Sequence, residues 1–266
     1  SHEIVFTWGD EVELEPTPTP WPTWNPSVPT PTPVTGVRKV LWFVDQRKLW
    51  GPTDWLYDDF TAFQDIFTEL GAESETFIVE ERPITDDLLS DYAVVIFESI
   101  WGIPPLAETE QQSVLQFVRS GGSIFVLGSG ESDAYILSED SVYCTSITQP
   151  FGIRFSAGTD GQIADYFEPH PVTEGVTMAG IMGSSIFLIQ PPGQGIGFWW
   201  DDAVLAVAED GYGRVVAFPT AGDFHTSGYY PYGIDRYSHR QLATNIAKWL
   251  LHYGEEITEV DSWWLY

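Results

Sequence analysis

The sequence predicts an α/β domain. Its sheet is mostly parallel, with helices on both faces and an antiparallel extension, and an N-terminal strand and a Pro/Thr-rich tether precede it. Three observations carry this expectation. Between residues 36 and 130, continuous apolar runs alternate with segments whose apolar residues recur at helical spacing. Strands buried on both faces and joined by helices read this way. In the second half, apolar runs follow one another across short glycine turns, as antiparallel neighbours do. Residues 16–33, PTPTPWPTWNPSVPTPTP, hold eight prolines and no charge, which excludes both helix and sheet there.

The elements follow in order. Ile4, Phe6, Trp8, Val12 and Leu14 share one parity while Glu3, Thr7, Glu11 and Glu13 take the other, so residues 1–15 read as a half-buried strand. Residues 16–35 form the linker. The α/β domain spans residues 36–254, and residues 255–266 make an aromatic tail ending in Trp263-Trp264-Leu265-Tyr266. Within the domain, Lys39–Val44 reads as a buried strand ending at Asp45. Leu56, Phe60, Phe63, Phe67 and Leu70 form a helical stripe closed by Gly71. Thr76–Val79, Ala93–Phe97 and Ser123–Leu127 read as strands; Asp86–Leu89, Glu108–Arg119 and Ser141–Thr148 read as helices. Ser185–Ile189, Ala203–Ala208 and Arg214–Phe218 supply the antiparallel part, with a hairpin at Gly211-Tyr212-Gly213. The last helix covers Ser238–His252, with Leu242, Ile246 and Leu250 facing inward.

Thirty-nine acidic against 11 basic residues give a net charge of −28. Such a surface repels phosphate, so nucleic acid and anionic membrane are excluded as partners. No stretch reaches the roughly 20 apolar residues of a membrane span. The single cysteine, Cys144, permits no intrachain disulfide. A start at Ser1 without methionine fits a cleaved signal peptide or a tag scar, and Pro/Thr tracts are typical of exported stalks. The expected location is therefore extracellular or at a cell surface.

Four segments carry a family resemblance: Val40–Asp45 (VLWFVD), Leu88–Glu98 (LLSDYAVVIFE), Phe117–Gly128 (FVRSGGSIFVLG) and His170–Val176 (HPVTEGV). Their order resembles the class I glutamine amidotransferase-like superfamily, above all its non-catalytic, ThuA-like branch. The resemblance implies a flavodoxin-like fold. In that family's amidotransferases a cysteine nucleophile sits on the turn that here reads Gly128-Ser129-Gly130-Glu131. The cysteine is absent, and so is the His-x-Glu pair. The expectation is thus no glutamine hydrolysis and no enzyme activity.

Ligands of open α/β sheets bind beyond the C-terminal strand ends. That rim should gather Asp45, Arg47, Glu98, Ser129, Glu131, Asp223 and His225 as ligand contacts. A serine-nucleophile reading would use Ser129 with His225 as base and Asp223 or Glu98 orienting it, but the turn lacks the G-x-S-x-G pattern. Asp45, Glu98, Glu131 and His225 lack metal-ligand spacing, so no metal and no cofactor is expected. Glu98 and Glu131 suit helix N-termini instead. Trp50, Trp55, Trp101, Tyr229-Tyr230-Pro231-Tyr232 and Trp199-Trp200 offer rings for stacking on glycans, or for packing.

In polyproline II form the 18-residue tether would reach roughly 55 Å, against a domain diameter of about 45 Å. It could carry the Ile4/Phe6/Trp8 strand to the sheet edge of the next copy. The leading expectation is a structural subunit that polymerises head to tail by strand addition, its partners being other copies of itself. The alternative is a monomeric domain that binds carbohydrate or another small ligand at the rim, or a hydrolase using that rim.

Overall fold

The computed structural model describes residues 38–44, 60–78, 83–98, 104–128, 139–158, 162–181, 185–226 and 233–255. The N-terminal arm, the linker and the aromatic tail beyond Glu255 lie outside the described residues. In chain order the elements are β1 (Arg38–Val44), α1 (Thr61–Glu69), β2 (Ala72–Ile78), α2 (Asp86–Leu89), β3 (Val94–Glu98), α3 (Glu108–Arg119), β4 (Ser123–Leu127) and α4 (Glu139–Thr148). There follow β5 (Ile153–Ala157), β6 (Gln162–Ala164), β7 (Tyr166–Phe167), β8 (Ala179–Ile181), β9 (Ser185–Ile189), β10 (Gln194–Trp199), β11 (Asp202–Asp210), β12 (Gly213–Phe218) and α5 (His239–Leu250).

One mixed sheet of ten strands dominates, in the order β2-β1-β3-β4-β12-β11-β10-β7. The pairs from β2 through β12 are parallel. From β12 outward the pairing turns antiparallel. The nine-residue β11 has three neighbours: Ala206–Asp210 lie against β12, Ala203 meets Phe187 of β9, and β10 pairs with it from Asp202 to Val207. β9 in turn holds β5, and β6 and β8 form a separate ribbon.

The alternation of side chains along each parallel strand builds two apolar layers. Val40, Trp42, Val94, Ile96, Phe125 and Leu127 point to one face, beneath α1 and α5. Leu41, Phe43, Val95, Phe97, Ile124 and Val126 point to the other, beneath α2, α3 and α4. This accounts for the continuous apolar runs in the sequence: both faces are covered, and residues 40–43, 94–98 and 123–127 are all buried. Trp42 anchors the first layer, with edge-on contacts to Phe63 at 5.4 Å and Phe67 at 5.9 Å. In the second layer Phe43 and Phe97 stack on neighbouring strands at 5.2 Å.

Polar fastenings hold the helices at their ends. Glu110 accepts from the Ala107 N–H (2.9 Å) and the Ile84 N–H (3.1 Å), so it serves the first turn of α3 and the approach to α2 together. At the end of α5 the Arg214 guanidinium donates to the Trp249 carbonyl (2.7 Å) and lies over the Trp249 ring at 5.0 Å. It also pairs with Glu209 and Glu255, and Arg38 donates to the Leu251 carbonyl. Two arginines thus meet the negative end of the helix dipole. His252 lies beyond the helix at φ +50°. Burial and the nearby Arg214 push its pKa down, so the arginines take the role instead.

Candidate functional site

The parallel strands β1, β3, β4 and β12 all end on one edge of the sheet. Register places Glu98 beside Leu127 and Leu127 beside Phe218, so three strand ends stand level. The chain passes from β1 outward to β2 and then returns to β3 on the other side of β1. In open α/β sheets a reversal of this kind marks the strand ends where ligands bind. Glu98 is the last residue of β3 and is only 2% exposed. A carboxylate in that position, at the end of an otherwise apolar strand, is the feature packing does not call for.

Across β4 the rim is built by the segment after β12. Gly128 donates to the Phe218 carbonyl at 2.9 Å, and its own carbonyl accepts from Ala221 at 2.8 Å. A side chain at Gly128 would run into the Pro219 carbonyl, so glycine is what lets the two strand exits touch. The chain then turns through one 3-10 turn, Gly222–Phe224, with Thr220 Oγ1 accepting from the Gly222 N–H at 3.2 Å. Asp223 within this turn is fully buried. Its Oδ1 lies 4.0 Å from Nε2 of His239, the first residue of α5, which is also fully buried.

His239 faces two carbonyls: Nδ1 lies 2.8 Å from the Gly233 oxygen and Nε2 lies 3.0 Å from the Gly180 oxygen. A neutral ring can donate to one of them only. Burial pushes the pKa of His239 down, and the two carbonyls offset part of that shift. The ring pins β8 and the 233–239 turn beneath Asp223. The sequence offers no local signal for this role, since a histidine opening a helix is ordinarily a surface residue.

His225 is half-buried and sets its ring edge-on to Phe60 at 4.8 Å. Thr226 beside it accepts from the Ala62 N–H at 2.7 Å. The segment 220–226 therefore reaches from the end of β12 over to the start of α1. Of the expected rim, Glu98, Asp223 and His225 do come to this edge of the sheet. Asp45, Arg47, Ser129 and Glu131 lie outside the described residues, so the serine-nucleophile arrangement does too. The helix-capping role expected of Glu98 is filled at α3 by Glu110. No group of three or more metal-ligating side chains occurs among the described residues.

Of the aromatic candidates, Trp199 is half-buried and Trp200 is 83% exposed, with the two rings 6.1 Å apart. Trp50, Trp55, Trp101 and Tyr229–Tyr232 lie outside the described residues. His170 opens the 3-10 turn Pro171–Thr173, and its Nδ1 accepts from the Val172 N–H at 3.1 Å. Its role is structural, as the flanking prolines suggest.

No known family profile matches the chain, and no curated protein matches it. Solved structures do share the fold. The cytoplasmic protein STM1381 of Salmonella typhimurium LT2 superposes with a TM-score of 0.58 at 13% identity, covering 82% of this chain and 100% of that one. The cytoplasmic protein STM3548 of Salmonella typhimurium gives 0.56 at 13% identity, over 80% and 98%. A ThuA-like protein of Bacteroides uniformis gives 0.46 at 12% identity, over 88% and 95%. At these identities the likeness is one of fold: a flavodoxin-like α/β sheet, largely parallel, with flanking helices. The expected extracellular or cell-surface location is corrected by the two Salmonella proteins, which share the fold over most of this chain and are cytoplasmic. The Pro/Thr composition that suggested export describes the linker and not the fold. Among the described residues no helix is long and apolar enough to cross a membrane.

Proposed function

We propose that the chain is a small-ligand binding domain whose site is the C-terminal rim of the parallel sheet. The observation that carries this reading is Glu98, a buried carboxylate at the strand end beside the chain reversal, with the buried Asp223 across β4 on the same rim. Carboxylates accept hydrogen bonds and balance positive charge. With a net charge of −28, the preferred ligand is a neutral or cationic molecule rich in hydroxyl or amine donors, sugars included. The role is binding and positioning rather than turnover.

We also place the chain, as part of this proposal, in the non-catalytic ThuA-like branch of the amidotransferase-like folds. The segments Val40–Asp45, Leu88–Glu98 and Phe117–Gly128 support that placement. This reading takes precedence over head-to-tail assembly because its residues are among those described, whereas the arm residues Ile4, Phe6, Trp8, Val12 and Leu14 are not.

The test is an amide NMR titration of the intact chain with monosaccharides, polyols and small amines. Shifts should cluster at Glu98, Gly128 and Thr220–Thr226, and Glu98→Gln should weaken binding about tenfold or more by removing a charge-assisted acceptor. Shifts that map elsewhere, or equal affinity in Glu98→Gln and wild type, overturn the reading. Hydrolysis of a bound ester or glycoside that His225→Ala abolishes would replace it with the hydrolase.

A further inference from the structure

On the same edge of the sheet as the rim, two strands beyond β12, the turn between β10 and β11 presents a second surface. Trp199 pairs with Asp202, so Trp200 and Asp201 alone make the hairpin loop. Trp200 stands at φ +54°, in the first loop position, where glycine is the usual residue. It is also 83% exposed. A large apolar ring thus occupies a backbone conformation that disfavours it, in a place where it buries almost nothing.

The ring is not isolated. Trp199 lies 6.1 Å away. On the adjoining strand Tyr166, 54% exposed, pairs with Phe198 and holds its ring 5.7 Å from it. Tyr166 also donates from its hydroxyl to Glu168 at 2.7 Å, which fixes the ring's direction. The antiparallel register carries the exposed Asp165 toward Trp199, and Asp201 and Asp202 follow Trp200 directly. The ion pairs and ring contacts of Lys39, Arg119, Arg214 and Arg240 are made with other parts of the chain. Tyr166 and Phe198 take one face of the ribbon and Trp199, Asp165 and Asp202 the other, so the exposed Trp200 ring stands at the ribbon's end beside Trp199 and the three carboxylates.

We propose that this patch docks a basic peptide segment of a partner protein, with a lysine or arginine side chain seated over the Trp200 ring. Indole is the strongest cation–π acceptor among the side chains, and guanidinium groups stack on it while bonding to neighbouring carboxylates. The three aspartates beside the rings select a cation over a neutral sugar, to which bare rings would serve as well. This inference is independent of the rim reading, because its residues lie on β7, β10 and the β10–β11 turn.

The test uses the intact chain and a synthetic peptide alternating Arg and Gly, measured by calorimetry at about 0.15 M ionic strength, where diffuse attraction is screened. Trp200→Ala should weaken binding about five- to tenfold, whereas Trp200→Phe should keep most of it. Tyr212→Ala, an exposed ring on a different turn, should leave affinity unchanged. Equal losses in Trp200→Ala and Tyr212→Ala, or no loss in either, would reveal attraction to net charge alone and overturn the proposal. Tighter binding of a neutral oligosaccharide than of the peptide would also overturn it. Trp200→Gly suits the backbone of this turn, so a loss of binding there cannot be put down to unfolding.

Discussion

Thr226 Oγ1 accepts a hydrogen bond from the backbone N–H of Ala62 at 2.7 Å, across 164 residues of sequence. α1 has no capping side chain of its own, since Phe60 occupies the N-cap position. The Ala62 N–H of its first turn is met instead by the loop that follows β12. The start of this helix and one wall of the rim are therefore a single joint. Thr226→Ala should cost about 1 kcal/mol in urea unfolding, as loss of a helix cap does, and Thr226→Ser should restore most of it. Equal stability of wild type and Thr226→Ala would show that the joint bears no load.

Gly128→Ala should destabilise the fold by about 1–3 kcal/mol, the usual penalty for overpacking. The added methyl meets the Pro219 carbonyl and, at 3.1 Å, the Phe155 ring. Because the obstacle is backbone, the separation of the β4 and β12 exits must grow. Amide shifts at Thr220–Thr226 should accompany the loss of stability, which thermal melting would measure.

Trp200→Gly should raise stability by about 1 kcal/mol, the cost of holding an L-residue in the left-handed region. An 83% exposed ring gives up little burial in exchange. A destabilised Trp200→Gly would mean that the ring packs in solution against something more than Trp199.

Stability should decline as the medium becomes mildly acidic. Burial pushes the pKa of His170 below the ordinary imidazole value, with Glu209 opposing and Arg214 assisting. Its Nδ1 must also be unprotonated to accept from the Val172 N–H. His239 and His252 are likewise lowered, burial being the main cause. The unfolded chain takes up protons near pH 6.5, while the folded chain resists until lower pH. The stability these residues contribute is complete above about pH 6.5 and is lost as pH falls through their depressed folded values. A further loss should follow at lower pH from Glu75, which the Tyr92 hydroxyl and Lys39 hold below the usual carboxylate range. Chemical denaturation from pH 7.5 to 4, with NMR titration of the His170 ring, checks both the sign and the window. A His170 midpoint above the unfolded value would contradict it.

Much of the parallel half was legible because its signals are local. β4 and α3 lie at Ser123–Leu127 and Glu108–Arg119, where the apolar run and the helical spacing put them. β2 begins four residues earlier than expected, at Ala72. Its Glu73 and Glu75 read as non-strand, yet they tolerate the outermost position of the sheet, where Lys39 on β1 pairs with Glu75. β10 was missed, because Gly195 and Gly197 dilute its pattern. Both glycines are required by close neighbours, Ala203 and Phe198 for one and Leu205 and Phe167 for the other. Of the expected rim residues, Glu98 ends β3, and Asp223 and His225 lie in the segment after β12, where strand order alone places them. The role of His239 is not legible in sequence, because its partners, the carbonyls of Gly180 and Gly233, are set by tertiary contacts alone.

The slot between β4 and β11 is filled by β12, whose first residue is Gly213. During synthesis, strands one through four emerge early and can associate, but their growing layer keeps one raw margin along β4 until Gly213–Phe218 has been made. A nascent chain in that condition is exposed to pairing with the wrong neighbour. Truncation anywhere before Phe218 would leave the margin permanently open, so fragments of this protein should aggregate where the complete domain does not.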